Sequence, residues 1–158
     1  MGNNRRIDRA SRLIHASAEA VYAAFADPVA WQKWLPPTGM TCEIELFNFR
    51  TGGEYRLTLM YTDTSIPGKS GQHRDISNGT FEELIPSRRM VQLVEFESDQ
   101  PKFAGTMRMT WSIDPVENGV NVSISAEDVP EGISQDDHET GLESTLENLA
   151  QFIENKPS

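Results

Sequence analysis

One cysteine, Cys42, occurs in the 158 residues, so no intrachain disulfide can form. It sits in an apolar, alternating stretch with no histidine nearby, the setting of a small buried hydrophobe and not of a nucleophile. Basic residues are also scarce: 14 Lys and Arg face 24 Asp and Glu, a formal net charge of −10. Contact with a phosphate backbone needs clustered Lys and Arg to displace counterions, so DNA and RNA are excluded as partners. The acidity itself is read as a solubility device or as a face for a basic partner surface.

No long apolar run is present behind Met1-Gly2-Asn3-Asn4-Arg5-Arg6, so neither a secretory signal nor membrane insertion is expected, and the expected location is cytoplasmic. Arg6 occupies the place where a myristoylation signal needs Ser or Thr. Without an export signal, Asn78-Gly79-Thr80 and Asn121-Val122-Ser123 are chance glycosylation matches. Glycine-rich phosphate loops are missing as well, since Gly52-Gly53 links two strands and opens no helix. The one dense group of metal-ligand types, Asp136-Asp137-His138-Glu139, is four consecutive residues that point around a helix, and Leu142 stands where a second zinc-binding histidine would be. Neither a metal nor any other cofactor is expected.

The chain does contain enough for one core. No linker divides it, so a single domain over residues 1–158 is expected, with 1–7 a loose N-terminal tail. At this length about 70% of the unfolded surface can be buried, which removes the need for disulfides or a structural metal.

A short strand is read over Arg9–His15, then a helix capped by Ser17 with Val21, Ala24 and Phe25 as its apolar stripe. Asp27-Pro28 starts a second short helix bearing Trp31, Trp34 and Leu35, ended by Pro36-Pro37. From Met40 the period falls to two. Cys42, Ile44 and Leu46 alternate with Glu43 and Glu45, and Phe47 and Phe49 break the parity, which predicts a bulge or bend. Beyond the Thr51-Gly52-Gly53 turn, Tyr55, Leu57, Leu59 and Tyr61 share a face, and 62–72 reads as a long hairpin loop. Phe81, Glu83 and Ile85 share a face in the next strand, with Asn78-Gly79 either a turn before it or part of it. Met90–Phe96 is a strand too apolar throughout to reveal its inner side. Met107, Met109, Trp111 and Ile113 alternate with polar residues, and Asn118-Gly119 predicts a type I′ hairpin into Val120, Val122, Ile124 and Ala126. Leu142, Leu146, Leu149 and Ile153, spaced by four, three and four, predict a long amphipathic C-terminal helix.

The expected fold is therefore α+β: a curved antiparallel sheet of about six or seven strands, two short helices, and a long last helix across the sheet's dry face. A straight helix laid over a curled sheet touches some strands and stands off others. The space would be walled by Trp31, Tyr55, Leu57, Tyr61, Phe81, Met107, Met109 and Trp111, opposite Leu142, Leu146 and Leu149. The competing reading is that these side chains fill it as a solid core. Glu83 shares parity with Phe81 and, facing such a pocket, would be a candidate general acid or base, with His73, Asp75 and Tyr55 as further candidates. Its alternative is a structural ion pair with Arg56 or Arg108.

Several stretches in this order resemble one family: Ala18-Glu19-Ala20-Val21-Tyr22, Asp27-Pro28 with Trp31 and Trp34-Leu35-Pro36, Thr51-Gly52-Gly53-Glu54-Tyr55-Arg56, Gly79-Thr80-Phe81-Glu82-Glu83 with Pro86 and Arg89, and the helix from Gly141 to Phe152. They are similar to the activator-of-heat-shock-protein-ninety-ATPase homologue branch of the START-like (SRPBCC, birch-pollen-allergen-like) superfamily. The resemblance implies a helix-grip fold with a cavity under the last helix. The functions it implies are binding of a small hydrophobic ligand, a co-chaperone-like interaction with a protein partner, or a small cyclase or hydrolase-like activity; a homodimer fits the same branch. Two departures from the pattern are expected: no counterpart of the eukaryotic activator's separate N-terminal domain, and Gly141-Leu142 in place of the branch's Gly-Trp pair.

Overall fold

The computed structural model describes residues 6–155. Strand β1 (Ile7–Ile14) leads into helices α1 (Ala18–Ala26) and α2 (Pro28–Trp34), which carry the chain to β2 (Met40–Phe47). Strands β3 (Glu54–Tyr61), β4 (Arg74–Ile85), β5 (Arg89–Glu97), β6 (Met107–Val116) and β7 (Gly119–Glu127) follow, and helix α3 (Gln135–Glu154) closes the chain. The seven strands form one antiparallel sheet in the order β1-β7-β6-β5-β4-β3-β2. Successive hairpins account for β2 to β7. Only β1 is out of sequence, at the far edge beside β7, so α1 and α2 cross from one edge of the sheet to the other.

Local chemistry sets the two short helices. The Ser17 hydroxyl accepts from the Ala20 N–H at 3.1 Å, and the Asp27 carboxylate from Val29 N–H at 2.9 Å. Pro28 follows at the first helical position. Both indoles of α2 then turn back on α1: Trp31 Nε1 donates to the Phe25 carbonyl at 2.6 Å and Trp34 Nε1 to that of Ala24 at 3.1 Å. Those carbonyls belong to the last turn of α1, which has no helical partners for them, so the pair of tryptophans ends one helix while anchoring the next. In α3 the Ser134 hydroxyl accepts from Asp137 N–H at 3.0 Å, with Asp136 and Asp137 in the favourable first turn. Among the described residues no helix is long and apolar enough to cross a membrane.

Two local expectations, the N-terminal tail and the β6–β7 turn, are corrected, whereas the bulge expected in β2 and the strand alternative for Asn78-Gly79 hold. Strand β1 begins at Ile7, which pairs with Glu127, and Arg6 binds Asp8, so the expected tail over 1–7 is ordered from residue 6; residues 1–5 lie outside the described residues. The parity break in β2 comes from a register shift between Ile44 and Leu46, leaving Leu46 exposed and Phe47 turned inward. Asn78-Gly79 lies within β4 and makes no turn. The β6–β7 turn is Glu117-Asn118, of which only Asn118 has positive φ (70°), whereas a type I′ turn needs it at both residues. Gly119 opens β7 because a side chain there would run into the Ile14 carbonyl.

Candidate functional site

Helix α3 behaves differently along its length. In its middle Leu146, Leu149 and Ala150 are buried in one cluster with Ile14, Val21, Phe25, Ile113 and Val122, and at its end Phe152 and Ile153 border a second space of about 200 Å³ against α1 and α2. The N-terminal half is tied to edge strand β1 and leaves a cavity of about 290 Å³ above β3 to β6. Of the residues expected to wall a pocket, Trp31, Tyr55, Leu57, Tyr61, Met107, Met109, Trp111 and Leu142 line this space. Leu146, Leu149 and Phe81 do not. Phe81 is fully buried within 5.0 to 6.1 Å of the rings of Trp31, Phe47, Phe49 and Tyr55, in the filled part of the interior.

Glu83 is also elsewhere. A register shift between Phe81 and Glu83 inserts Glu82 as an extra residue and reverses the parity on which its inward reading depended. Its half-exposed carboxylate accepts from Arg89 Nε at 2.8 Å. The expected structural partners are engaged differently: Arg108 pairs with Glu82, and Arg56 with Glu97 and Glu45. His73 lies in the loop before β4, where its backbone accepts from Tyr61 N–H and donates to the Pro67 carbonyl, and it does not line the cavity.

The cavity floor carries one buried polar chain. Trp111 Nε1 donates to Gln92 Oε1 at 2.6 Å, and Gln92 Nε2 donates to the Tyr55 hydroxyl oxygen at 3.0 Å. Gln92 comes from the strand whose inner side its sequence conceals; pairing with Met109 places it on the inner face with Met90 and Val94. The signal in the sequence is a lone amide amid Val91, Leu93 and Val94, and one polar residue in a continuous apolar run does not show which way it points. Burial pushes the Tyr55 phenol well above its ordinary value. Tyr55 leans over Gly79, where any side chain would collide with the ring.

Charged groups gather at the rim. The buried Asp75 carboxylate accepts from the Lys69 backbone N–H at 2.6 Å and from Lys69 Nζ at 2.9 Å, and the Tyr61 hydroxyl lies 3.5 Å from it. The same ammonium sits 5.1 Å from the Phe96 ring centre and 5.8 Å from that of Phe103. Burial, then the nearby Asp75 charge, raise the Tyr61 phenol. On the opposite rim, His138 of α3 contacts Asp8 Oδ2 through Nδ1 at 2.7 Å, while Arg6 grips both Asp8 oxygens at 2.8 Å. Arg6 also donates to the Ile133 carbonyl at 2.7 Å, so this cluster ties β1 to the start of α3.

Burial works to raise the Asp8 carboxyl, but the hydrogen bonds from Arg6 and His138 outweigh it and hold the group below its ordinary value. Its contribution to stability is therefore complete at neutral pH and is lost as pH falls through the lowered value. Replacing Asp8 with Asn is expected to destabilise the protein at pH 7 by about 1 to 2 kcal/mol, less than for a fully enclosed pair because the Arg6 side chain is 30% exposed. The difference between variant and parent, read from urea unfolding midpoints, shrinks as pH falls below about 4; a constant difference would remove the ion cluster from the account.

Cys42 is buried, and burial with Glu45 and Glu43 nearby pushes its thiol up to about 12, which fits a packing role.

Comparison with known proteins agrees with this architecture. A family model described as Activator of Hsp90 ATPase homolog 1-like protein matches residues 15–154. A crystal structure of a Chromobacterium violaceum protein is 30% identical, with 96% of this chain and 98% of that one covered and a TM-score of 0.84. A Rhodobacter sphaeroides protein shares the fold at 18% identity, covering 96% of this chain and 95% of that one, with a TM-score of 0.75. An AHSA1-like protein from Aeromonas hydrophila does so at 15% identity, covering 95% and 93%, with a TM-score of 0.71. No curated protein matches the sequence. With the match running from the end of the first strand to the end of the last helix, the chain belongs to the Activator of Hsp90 ATPase homolog 1-like family, of the START-like helix-grip fold.

Proposed function

We propose that this protein binds a small, largely apolar molecule in the cavity between the sheet and the N-terminal half of α3. The observation that supports it is the contrast along one helix: packed solid around Leu146 and Leu149, open beside Leu142. A core that merely needed filling would close over Leu142 as it does over Leu146 and Leu149, because unfilled apolar space forfeits dispersion contacts. The volume lies just at the lower bound of the roughly 300 to 1,000 Å³ usual for ligand sites, and Leu57, Leu59, Met107 and Met109 give it apolar walls, with Tyr55, Gln92, Ser77 and Thr145 among the polar residues between them.

Native mass spectrometry tests the reading. Protein purified from its own host is expected to carry an apolar adduct, or to take one up from a mixture of small aromatic and terpenoid compounds. Leu142→Trp, which puts an indole into the space, is expected to reduce the adduct at least tenfold. A chain seen only at its own mass in both conditions would end the proposal.

A second reading comes with the family match, a co-chaperone-like interaction, and the net charge of −10 supplies an acidic surface for a basic partner. Stimulation of the host chaperone's ATPase, undiminished by Leu142→Trp, would favour it over the first. The cyclase or hydrolase-like reading loses Glu83, which pairs with Arg89 outside the cavity, and His73, while Asp75 and Tyr55 line the space but are held by Lys69 and Gln92.

A further inference from the structure

The polar chain on the cavity floor has a direction. An indole nitrogen can only donate, so the bond from Trp111 fixes which end of the Gln92 amide faces it. The opposite end of that amide, Nε2, has no lone pair to offer and must donate to the Tyr55 oxygen. Tyr55 therefore receives a hydrogen from inside the protein and keeps its own, for which the described residues supply no acceptor. The hydroxyl is on a cavity-lining residue only 3% exposed, and burial keeps the phenol protonated.

The other polar groups around the space are committed or neutral in preference. The Thr145 hydroxyl donates to the Leu35 carbonyl at 2.9 Å, and Asp75 is occupied by Lys69 and Tyr61. Ser77 has a hydroxyl that turns to donate or accept. Asp137 and His138 stand on the α3 rim. Among the described residues, the buried hydrogens on the cavity floor whose direction their neighbours impose are that of the Tyr55 hydroxyl and the second one on Gln92 Nε2, and both call for an acceptor.

We propose that the cavity selects molecules bearing an acceptor oxygen, of the carbonyl type, on an otherwise apolar body, with that oxygen seated on the Tyr55 hydroxyl. This rests on the binding reading above and adds its ligand class. A ligand without such an oxygen leaves the Tyr55 O–H unpaired in an apolar site, and an unmet buried donor is the stronger source of discrimination.

Benzophenone and 1,1-diphenylethylene provide matched probes, because =CH₂ replaces =O in nearly the same shape. Their dissociation constants are measured by calorimetric titration against the wild-type protein and Tyr55→Phe. The preference for benzophenone over the alkene is expected to fall about tenfold in the variant, the worth of one hydrogen bond of about 1.4 kcal/mol. The infrared carbonyl stretch of bound ¹³C-benzophenone is expected at lower frequency than in hydrocarbon solvent. An unchanged preference, or a bound stretch at the free position, overturns the proposal while leaving cavity binding intact. Failure of both probes to bind the wild type overturns the binding reading as well. Should Tyr55→Phe not fold, the wild-type carbonyl stretch decides alone.

Discussion

Trp31→Ala is expected to lower stability by about 3 to 5 kcal/mol, the range for removing a large aromatic from a packed interior. For a domain of this size that is a large part of the whole, since folded proteins are stable by only about 5 to 15 kcal/mol. Trp31 is 1% exposed and holds edge-on contacts with Trp34, Phe47, Tyr55 and Phe81 at centroid distances of 5.0 to 6.1 Å. Its indole N–H is also the partner of the Phe25 carbonyl at the end of α1. Truncation therefore leaves a void, unpairs a buried carbonyl and frees the α1–α2 junction together. It also removes one wall of the cavity. Trp31→Phe separates these effects, because a ring remains while the N–H is lost; about 1 to 3 kcal/mol of the total should survive in it. Urea unfolding provides the measurement. A loss below about 1 kcal/mol for the alanine variant would show that α2 is held by something other than this indole.

Gly79→Ala comes second, and its sign makes it informative. Glycine inside a strand normally weakens it, and alanine at a compatible position stabilises by about 0.4 to 1 kcal/mol through the unfolded state. Here the opposite is expected, a loss of about 1 to 3 kcal/mol. The Tyr55 ring lies directly on Gly79, so a methyl group meets three ring carbons at once and the ring must move. Tyr55 also stacks on Phe81 with centroids 5.0 Å apart and receives the Gln92 hydrogen, so the shift breaks the polar chain on the cavity floor. Binding of benzophenone should fall at least as much as in Tyr55→Phe. Gly141→Ala is the matched comparison. This glycine lies inside α3 on the cavity wall, and nothing comes within 4 Å of the point where a methyl group would stand. Alanine there gains helix propensity of about 1 kcal/mol without a clash. Unfolding curves that move in opposite directions for the two variants support the contact; equal gains would refute it.

The sequence by itself determined what depends on neighbours a few residues away. Alternation in Met107 to Ile113 and Val120 to Ala126 marks a buried face because side chains on a strand change sides at every step. Ser17 and Asp27 are legible as helix caps, since a short acceptor beside unpaired N–H groups acts through local geometry alone. The spacing of Leu142, Leu146 and Leu149 identifies one face of α3 in the same way.

Only the tertiary structure decided where that logic stops. One inserted residue in β4 turned Glu83 from the interior to Arg89, and nothing around Glu82 announces the insertion, because a bulge is defined by the strand opposite. Gln92 reads as an interruption in an apolar run until pairing with Met109 aims it inward, beside Tyr55 and Trp111. Leu142 and Leu146 share a helical face, yet one borders a cavity and the other is sealed in core. Their difference is the local distance between a straight helix and a twisted sheet, a quantity set by the whole sheet's curvature and by what α1 and α2 fill beneath it. Periodicity tells which side of an element is dry; the separation of the two dry surfaces belongs to the assembled fold.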